Sequence, residues 1–409
     1  MPAPRREIVV DNVWLTASTW LGLALVAVLL SFWLRVSIAL TEIVVGVLGA
    51  FVISRTWGAS VLGANDGWIV FVAGLGSIML TFLAGAELDP VAIRQSWKET
   101  TLLGLIGFVA PFLGAAAVAR LFLGWNSSAS WLAGVALSTT SVAVVYAVML
   151  ELGLNRTHFG KVILAACFVN DLGTVIALGL IFAPFTWRTL AFLAAVVLSL
   201  GALLIGTAGL FRRFGGRPSE FETKYLLFTL FLLGGLAAWS GSEPVLPAYL
   251  IGMVLAGTVG RDLAFVRRLR TLSLGLLTPF YFLRAGSFVQ IPVLVAGIGI
   301  FVLLFLAKAV SKFVALYPLT LRLQYRWDEA MYTTLLMSTG LTFGTISSLY
   351  GLSHRIISQS QYSFLVATVI ASAVVPTWVA NRFFLPHHHL PQAMLPENET
   401  GAVLVPDGD

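Results

Sequence analysis

Charged residues are scarce in this sequence: Asp, Glu, Lys and Arg make up 11% of its 409 residues, whereas 58% are hydrophobic. A soluble domain could not cover that much apolar surface with so few polar side chains. The formal net charge of +6 does not indicate a nucleic-acid binder, because the basic residues are spread over short loops and are not clustered on one face. The composition therefore predicts a membrane protein.

Other absences exclude further classes of protein. Cys167 is the single cysteine, which excludes a disulfide within the chain and a metal site built from cysteines. No Walker A or dinucleotide-binding fingerprint is present, so ATP hydrolysis is not the source of energy. No paired carboxylates, histidine cluster or nucleophile–base set indicates catalysis. We therefore expect a protein that is not an enzyme and that needs no cofactor.

Apolar segments long enough to cross a bilayer recur along almost the whole chain. Each has about 18 to 25 residues, which as a helix span about 30 Å of hydrocarbon, and the short alternating segments of a membrane β-barrel are absent. The first segment is predicted to be a retained helix and not a cleaved signal peptide. Hydropathy and the Gly, Pro and charge punctuation predict an all-α polytopic protein with about thirteen spans, at 14–34, 36–54, 67–86, 100–123, 130–150, 160–183, 188–211, 225–240, 244–259, 270–289, 293–319, 329–350 and 360–383.

Basic residues divide the predicted loops into two groups. Most of the 25 Lys and Arg residues lie in the odd-numbered loops and after the last span. Because loops rich in Lys and Arg stay in the cytoplasm, we expect the N-terminus outside the cell and the C-terminus inside it. Residues 385–409 are polar and proline-rich, which predicts a disordered cytoplasmic tail. Its run His387–His389 could bind a metal weakly, but a solvated tail is the favoured interpretation.

Two predicted spans are interrupted by small polar residues at matching places in the two halves of the chain. Span five contains LSTTSVAVV (137–145) and span twelve contains MSTGLTFGTISS (337–348). Such a pair is typical of an inverted-repeat transporter, in which an ion binds between broken helices whose freed carbonyl and hydroxyl groups replace water. The alternative is that small hydroxyl residues merely let two helices pack closely.

Asn170 and Asp171 stand side by side in the middle of span six, in ACFVNDLGTVIALGL (166–180). An ionised carboxylate at that depth costs roughly 2.5–3.5 kcal/mol, so another group must compensate it. Thr174 shares a helix face with Asp171 and is predicted to hydrogen-bond its carboxylate or to join it around an ion. The alternative is an Asp–Lys pair that only locks helices together, although a hydrophobic residue would usually stabilise the fold as well.

Span eleven carries two lysines one helical turn apart, in FLAKAVSKFVALYP (305–318). Lys312 is expected to extend toward the cytoplasmic end of the span, as long basic side chains do. Lys308 lies too deep for that. We expect Lys308 to pair with Asp171 when no cation is bound, or to weaken the field of a bound ion.

Three further charged residues are weaker candidates for a functional role. Glu42 lies in span two, and Glu87 lies at the end of span three, where a solvated carboxylate is the simpler interpretation. Arg284 is more interior and could pair with an acidic neighbour in either a structural or a functional role.

Four segments of the chain resemble the monovalent cation:proton antiporter superfamily, in particular its Kef-like branch of bacterial transporters. They are FLAGAELDP (82–90), LSTTSVAVVYAVMLELG (137–153), FVNDLGTV (168–175) and LLMSTGLTFGTISSLYGL (335–352), and the similarity extends from Trp14 to Phe384. The resemblance implies the sodium/proton antiporter fold, an inverted repeat of thirteen helices in which spans five and twelve are crossed and broken. It also implies a dimerisation bundle (roughly 14–86 and 225–289), a core bundle (roughly 100–183 and 293–383) and a linker helix (188–211).

The resemblance also implies roles for individual residues. The ion-binding aspartate of the family corresponds to Asp171, the residue before it to Asn170, and its core lysine to Lys308. Its unwound stretches correspond to Ser138, Thr139 and Thr140 in the first broken helix, and to Ser338, Thr339, Gly340 and Thr342 in the second. The Asn-Asp pair differs from the Asp-Asp of electrogenic relatives and the Gln-Asp of Kef proteins, and is the pair of electroneutral exchangers.

Together these residues predict a secondary active antiporter that exchanges protons for Na⁺ or K⁺ by alternating access. Asp171 would bind a proton or a metal cation but never both. The resemblance further implies a homodimer, and no nucleic-acid partner is expected. A sodium-coupled organic-anion symporter on a related fold is disfavoured, because no polar cluster large enough for such a solute surrounds Asp171. A cation channel, which would conduct without domain movement, is the other alternative.

Overall fold

The computed structural model describes residues 12–34, 36–56, 58–86, 96–182, 186–215, 220–242, 244–257, 259 and 262–390. Within these ranges the regular elements are helices and no strand occurs, so the all-α prediction is confirmed. The helices are α1 (Val13–Leu34), α2 (Ile38–Thr56), α3 (Gly67–Ala86), α4 (Trp97–Leu121), α5 (Ser127–Ser138), α6 (Val142–Glu151), α7 (His158–Ile181), α8 (Trp187–Phe214), α9 (Phe221–Ser240), α10 (Val245–Leu255), α11 (Leu263–Leu272), α12 (Thr278–Ser287), α13 (Ile291–Ala296), α14 (Ile298–Arg322), α15 (Trp327–Met337), α16 (Thr342–Ser353) and α17 (Gln359–Phe383).

Helices lie at all thirteen predicted membrane spans. Ten segments of the described chain are long and apolar enough to cross a bilayer, with α5 and α6 counted together. The other three predicted spans correspond to the short helix α10, to α11 and α12 joined through the π-helical turn Ser273–Leu277, and to the pair α15 and α16. The helical segment at the tenth predicted span begins at Leu263, earlier than residue 270. The prediction started late because α11 carries arginines, but the chain is already helical there. The eleventh begins later, since Gly297 separates α13 from α14.

The helices pack in two groups. In the first, α2 lies against α1 and α12, while α3 lies against α10 and α12. The α3–α10 crossing is close because Gly85 faces Gly252: a Cβ added at Gly252 would collide with main-chain atoms of Phe82 and Ala86. Inside a bilayer the hydrophobic effect does not drive helices together. Small residues such as these glycines stabilise the contact because they let the two main chains approach closely. In the second group, α4 packs on α5, α7 and α14, and α17 packs on α14, α15 and α16. Helix α8 lies against α9 and α10.

The start of the predicted disordered tail is ordered, so its boundary at residue 385 is wrong. His387–His389 forms a 3-10 turn that packs against α7 and α15. Composition suggested disorder, but a stacked ring and hydrogen bonds to a carboxylate hold this segment in place. Residues 391–409, the rest of that prediction, lie outside the described residues.

Candidate ion-binding site

The first interruption separates α5 from α6. Thr139 turns the chain out of the helix with φ −62° and ψ 149°, and the hydroxyl of Ser141 accepts a hydrogen bond from the Val144 amide to cap the start of α6. The hydroxyls of Ser138 and Thr139 donate back to carbonyls of α5, at 2.8 and 3.2 Å. Because these two hydroxyls already have partners within α5, the groups that the interruption offers to other helices are mainly main-chain amides and carbonyls.

The second interruption separates α15 from α16 and has the same construction. The hydroxyls of Ser338 and Thr339 each donate at 2.7 Å to carbonyls of α15. The carbonyl of Gly340 accepts a hydrogen bond from Ser372 of α17 at 3.4 Å. Thr342 begins α16 and is 9% exposed.

The two interruptions touch each other, as the predicted fold requires. Thr140 Oγ1 donates to the carbonyl oxygen of Met337 at 2.8 Å, across 197 residues of sequence. The Ser141 amide donates to Thr339 Oγ1 at 3.5 Å. Unwound main chain from both halves of the protein therefore meets at one point, away from lipid, where its polar groups find partners.

Asn170 of α7 holds the first interruption from the side. Its Oδ1 accepts a hydrogen bond from the Thr140 amide at 2.9 Å, and its Nδ2 donates to the Ser138 carbonyl at 3.3 Å. One side chain thus satisfies a donor and an acceptor on either side of the break. A buried amide is well suited to this task because it offers both functions at fixed geometry.

Lys312 lies at the centre of the crossing, so the expectation that it extends to the cytoplasmic end is wrong. Its side chain is fully buried and donates to Met337 O at 2.5 Å, Thr140 Oγ1 at 2.8 Å and Thr139 O at 3.4 Å. These contacts use all three donors of the ammonium group. The free carbonyls at the helix interruptions supply what hydration would supply at the membrane surface, and the side chain gains nothing by extending outward.

Lys308 lies beside the same interruption and donates to Thr139 O at 3.2 Å. Within the described part of the chain, neither lysine forms an ion pair with Asp171, so the expected Lys308–Asp171 pair is absent. The carbonyl of Thr139 instead accepts from both ammonium groups, which occupies its two lone pairs. The Thr139 carbonyl, which was expected to be free to bind a cation, is therefore already hydrogen-bonded to the two lysines.

Asp171 is buried, with 2% of its surface exposed, and its Oδ1 has no hydrogen-bond partner among the described residues. The hydroxyl of Thr174 donates to the Asn170 carbonyl of its own helix at 3.2 Å, so the first of its two predicted roles, a hydrogen bond to the carboxylate, is wrong. Its second predicted role, joining Asp171 around an ion, stays a prediction. A buried carboxylate oxygen without a donor can be satisfied by a proton or by a cation.

Tyr249 of α10 closes the site from the first group of helices. It is fully buried, its hydroxyl donates to the Phe168 carbonyl at 3.0 Å, and its ring meets Phe343 edge-on at 5.9 Å between centroids. It therefore contacts both α7, which carries Asp171, and the start of α16. Sequence reasoning missed Tyr249 because a tyrosine in a short apolar span carries no signal of such a contact.

The remaining candidates do not join this site. Arg284 donates to the Ala64 carbonyl at 2.7 Å and lies over the Phe288 ring at 4.9 Å. No described carboxylate forms an ion pair with it, so the expected acidic neighbour is absent. Glu42 is buried within α2, in the other group of helices. Glu87 lies outside the described residues.

Two discontinuous helices that cross beside a buried carboxylate define a class of protein, the secondary transporters whose ion site lies between broken helices. The profile described as "Sodium/hydrogen exchanger, transmembrane" matches residues 21–383. Because this match covers most of the chain, the protein belongs to the sodium/hydrogen exchanger family, whose members are antiporters and not enzymes.

Individual relatives agree with this assignment. The chain is 23% identical to "Probable Na(+)/H(+) antiporter 3" of Methanocaldococcus jannaschii, over 85% of this chain and 90% of that protein. It is 26% identical to "Cation/H(+) antiporter 18" of Arabidopsis thaliana, over 77% of this chain but only 41% of the longer plant protein. The solved structure of the sodium proton antiporter MjNhaP1 from Methanocaldococcus jannaschii at pH 8 covers 90% of this chain with a TM-score of 0.64 at 14% identity, and 97% of that structure is matched. The fold is therefore the sodium/proton antiporter fold that the resemblance implied.

Proposed function

We propose that this protein exchanges protons for a monovalent cation, Na⁺ or K⁺, by alternating access, with Asp171 as the site that both ions share. The observation that supports the proposal best is the position of Asp171, which is buried beside two crossed helix interruptions and has an oxygen without a hydrogen-bond donor among the described residues. A carboxylate that only locked helices together would be expected to pair with one of the adjacent lysines.

The lysine contacts suggest how binding and release are coupled. In the present arrangement Lys308 and Lys312 occupy the Thr139 carbonyl, and Lys312 also occupies that of Met337. A bare cation needs several oxygen ligands at once. We propose that a cation binds Asp171 when the lysines release these carbonyls. When no cation is bound, Asp171 carries a proton instead. Thr174 and the hydroxyls of the interruptions (Ser138, Thr139, Thr140, Ser338, Thr339 and Thr342) are candidate further ligands, and Gly340 leaves room for the approach.

Alternation would be a movement of the core bundle (roughly 100–183 and 293–383) against the dimerisation bundle (roughly 14–86 and 225–289), with α8 as the linker. Tyr249 supports this division because it connects the two bundles beside Asp171. If the core moves only when Asp171 is loaded, the inward movement of a proton returns a cation outward. With Asn170 in place of a second carboxylate, one cation exchanges for one proton and no net charge moves.

The membrane, the orientation and the assembly of the transporter are also part of the proposal. The resemblance to bacterial transporters supports a bacterial plasma membrane, and the bias of Lys and Arg between alternate loops supports an N-terminus outside and a C-terminus in the cytoplasm. The four motifs support the Kef-like branch, and the resemblance supports a homodimer.

The decisive variant is Asp171→Asn, which removes the charge and keeps the side-chain volume. We expect proton/cation exchange in everted vesicles to be lost with Na⁺, K⁺ and Li⁺ alike, while the protein still folds, because the substitution removes an expensive buried charge. Asp66→Asn, the same change at an exposed loop residue, is the matched control and should leave exchange intact. Retained exchange in Asp171→Asn would overturn the proposal, and loss of folding would support a purely structural role.

A further inference from the structure

The segment after α17 folds back onto the start of α15 through two histidines. His388 Nε2 and His389 Nε2 lie 2.8 and 2.7 Å from the same atom, Glu329 Oε1. The three side chains are 35%, 29% and 13% exposed. Three atoms that commonly bind metals therefore converge at a point that solvent reaches, apart from the Asp171 site.

A second carboxylate lies close to one imidazole, and an aromatic ring stacks on the other. Asp328 Oδ2 lies 3.7 Å from His388 Nδ1, the nitrogen that faces away from Glu329. Metal-binding histidines commonly direct their second nitrogen to such a carboxylate. The ring of His389 stacks on Phe159 of α7, with centroids 4.9 Å apart and an angle of 8° between planes. Both rings are thus oriented before any ion arrives.

We propose that Glu329, His388 and His389 form a binding site for a divalent transition-metal ion such as Zn²⁺. Their ligand atoms lie within 4.8 Å of one another. A tetrahedral zinc ion at its usual bond lengths would hold neighbouring ligands about 3.3 Å apart. The two imidazole nitrogens need to move about 0.5 Å away from Glu329 Oε1 and to bring their own separation, which is at most 4.8 Å, to the same spacing. Two partly exposed side chains at a chain turn are able to do so. The fourth position remains for water, as in three-ligand zinc sites.

The donor set selects the class of ion. Imidazole nitrogen suits zinc, nickel, copper and cobalt, whereas a site for a hard cation such as Na⁺ or K⁺ would be built from oxygen. The site is therefore distinct from the one proposed for the transported cation and does not depend on it.

A bound ion would join three parts of the second helix group. Glu329 lies in the first turn of α15, the histidines follow α17, and His389 rests on α7. Helix α15 runs directly into the second interruption, and α7 carries Asp171. The ion would therefore clamp the chain after α17 to helices that form the candidate ion-binding site.

The test is titration of the purified full-length protein, prepared with an affinity tag that contains no histidine and stripped with a chelator. Co²⁺ should give the visible absorption of a four-coordinate site, and Zn²⁺ should displace it and raise the unfolding temperature. His388→Ala, His389→Ala and Glu329→Gln should each lose the Co²⁺ spectrum, and Asp328→Asn should weaken binding about tenfold, as changes to the outer partners of metal ligands do.

Two control variants distinguish this site from weak binding to a neighbouring histidine and from binding at Asp171. His387→Ala removes the adjacent histidine, which is exposed and does not belong to the cluster of ligand atoms around Glu329, and should bind Co²⁺ like the wild type. Asp171→Asn should also bind normally, which keeps the result independent of transport. Absence of the spectrum from the wild-type protein would overturn the proposal, as would an equal loss of binding in His387→Ala. The unfolding temperature of each metal-free variant shows that it is folded.

Discussion

The ammonium group of Lys312 donates a hydrogen bond of 2.5 Å to the main-chain oxygen of Met337. Met337 is the last residue of α15, the first half of the second interrupted helix, and Lys312 belongs to α14. The bond therefore fixes the end of α15, at the break, to α14. The same ammonium group also holds Thr139 and Thr140 of the first interrupted helix. One basic side chain therefore secures both halves of the crossing.

This relationship predicts unequal roles for the two buried lysines in stability. Lys312→Met relieves the cost of burying an ammonium group but removes three hydrogen bonds to groups that stay buried, among them the carbonyls of Thr139 and Met337. We expect the lost bonds to outweigh the relief and the free energy of unfolding to fall by about 3 kcal/mol. Lys308→Met, which removes one hydrogen bond, is the matched control and should cost less. Thermal unfolding in detergent, followed by tryptophan fluorescence, measures both. An equal or smaller cost for Lys312→Met would contradict the proposed role.

Asn170→Asp tests how the residue before Asp171 sets the charge moved per cycle. The new carboxylate can still accept from the Thr140 amide but cannot donate to the Ser138 carbonyl, so we expect a stability cost of about 1–3 kcal/mol. It also adds a second site for a proton. Currents across proteoliposome membranes should be absent for the wild type and present for Asn170→Asp. Voltage that drives or reverses wild-type transport would reject one-for-one exchange.

Tyr249→Phe tests the contact between α10 and α7. The substitution removes the hydrogen bond to the Phe168 carbonyl and keeps the ring. The arrangement in which α10 contacts α7 should therefore lose about 1 kcal/mol of stability. If the two bundles must separate in every cycle, turnover should rise by up to about fivefold. Tyr332→Phe is the matched control, since its hydroxyl bonds to Asn381 between two core helices. Turnover unchanged or reduced in Tyr249→Phe would argue against movement at this contact.

Gly340→Ala tests the space between the two interruptions. An added Cβ would collide with Lys308 Nζ and would lie 2.8 Å from Thr139 Oγ1. We expect exchange to fall strongly, because the lysine and the first interruption must move apart. Gly235→Ala in α9 meets no atom within 4 Å and should leave exchange unchanged, with a stability gain of at most about 1 kcal/mol. Exchange at the wild-type rate in Gly340→Ala would show that this spacing is not required.

The sequence alone predicted the helical class, the positions of the thirteen spans and the two interruptions. Each of these follows from a local property: a bilayer demands apolar runs of fixed length, and small polar residues mark where a membrane helix can open. Asp171 and Asn170 stood out for the same reason, because a carboxylate in the middle of an apolar run is expensive wherever the helix lies.

The tertiary structure alone decided which groups face one another. The sequence favoured Lys308 over Lys312 because Lys308 is deeper, but the crossing places carbonyls from two distant segments around Lys312. Those partners, Thr139 and Met337, act through main-chain oxygens that every residue type possesses, so no sequence pattern marks them. Tyr249 and His389 are likewise defined by contacts with helices far away in the chain. Local chemistry fixed where the costly groups lie, and the packing of the helices determined what compensates them.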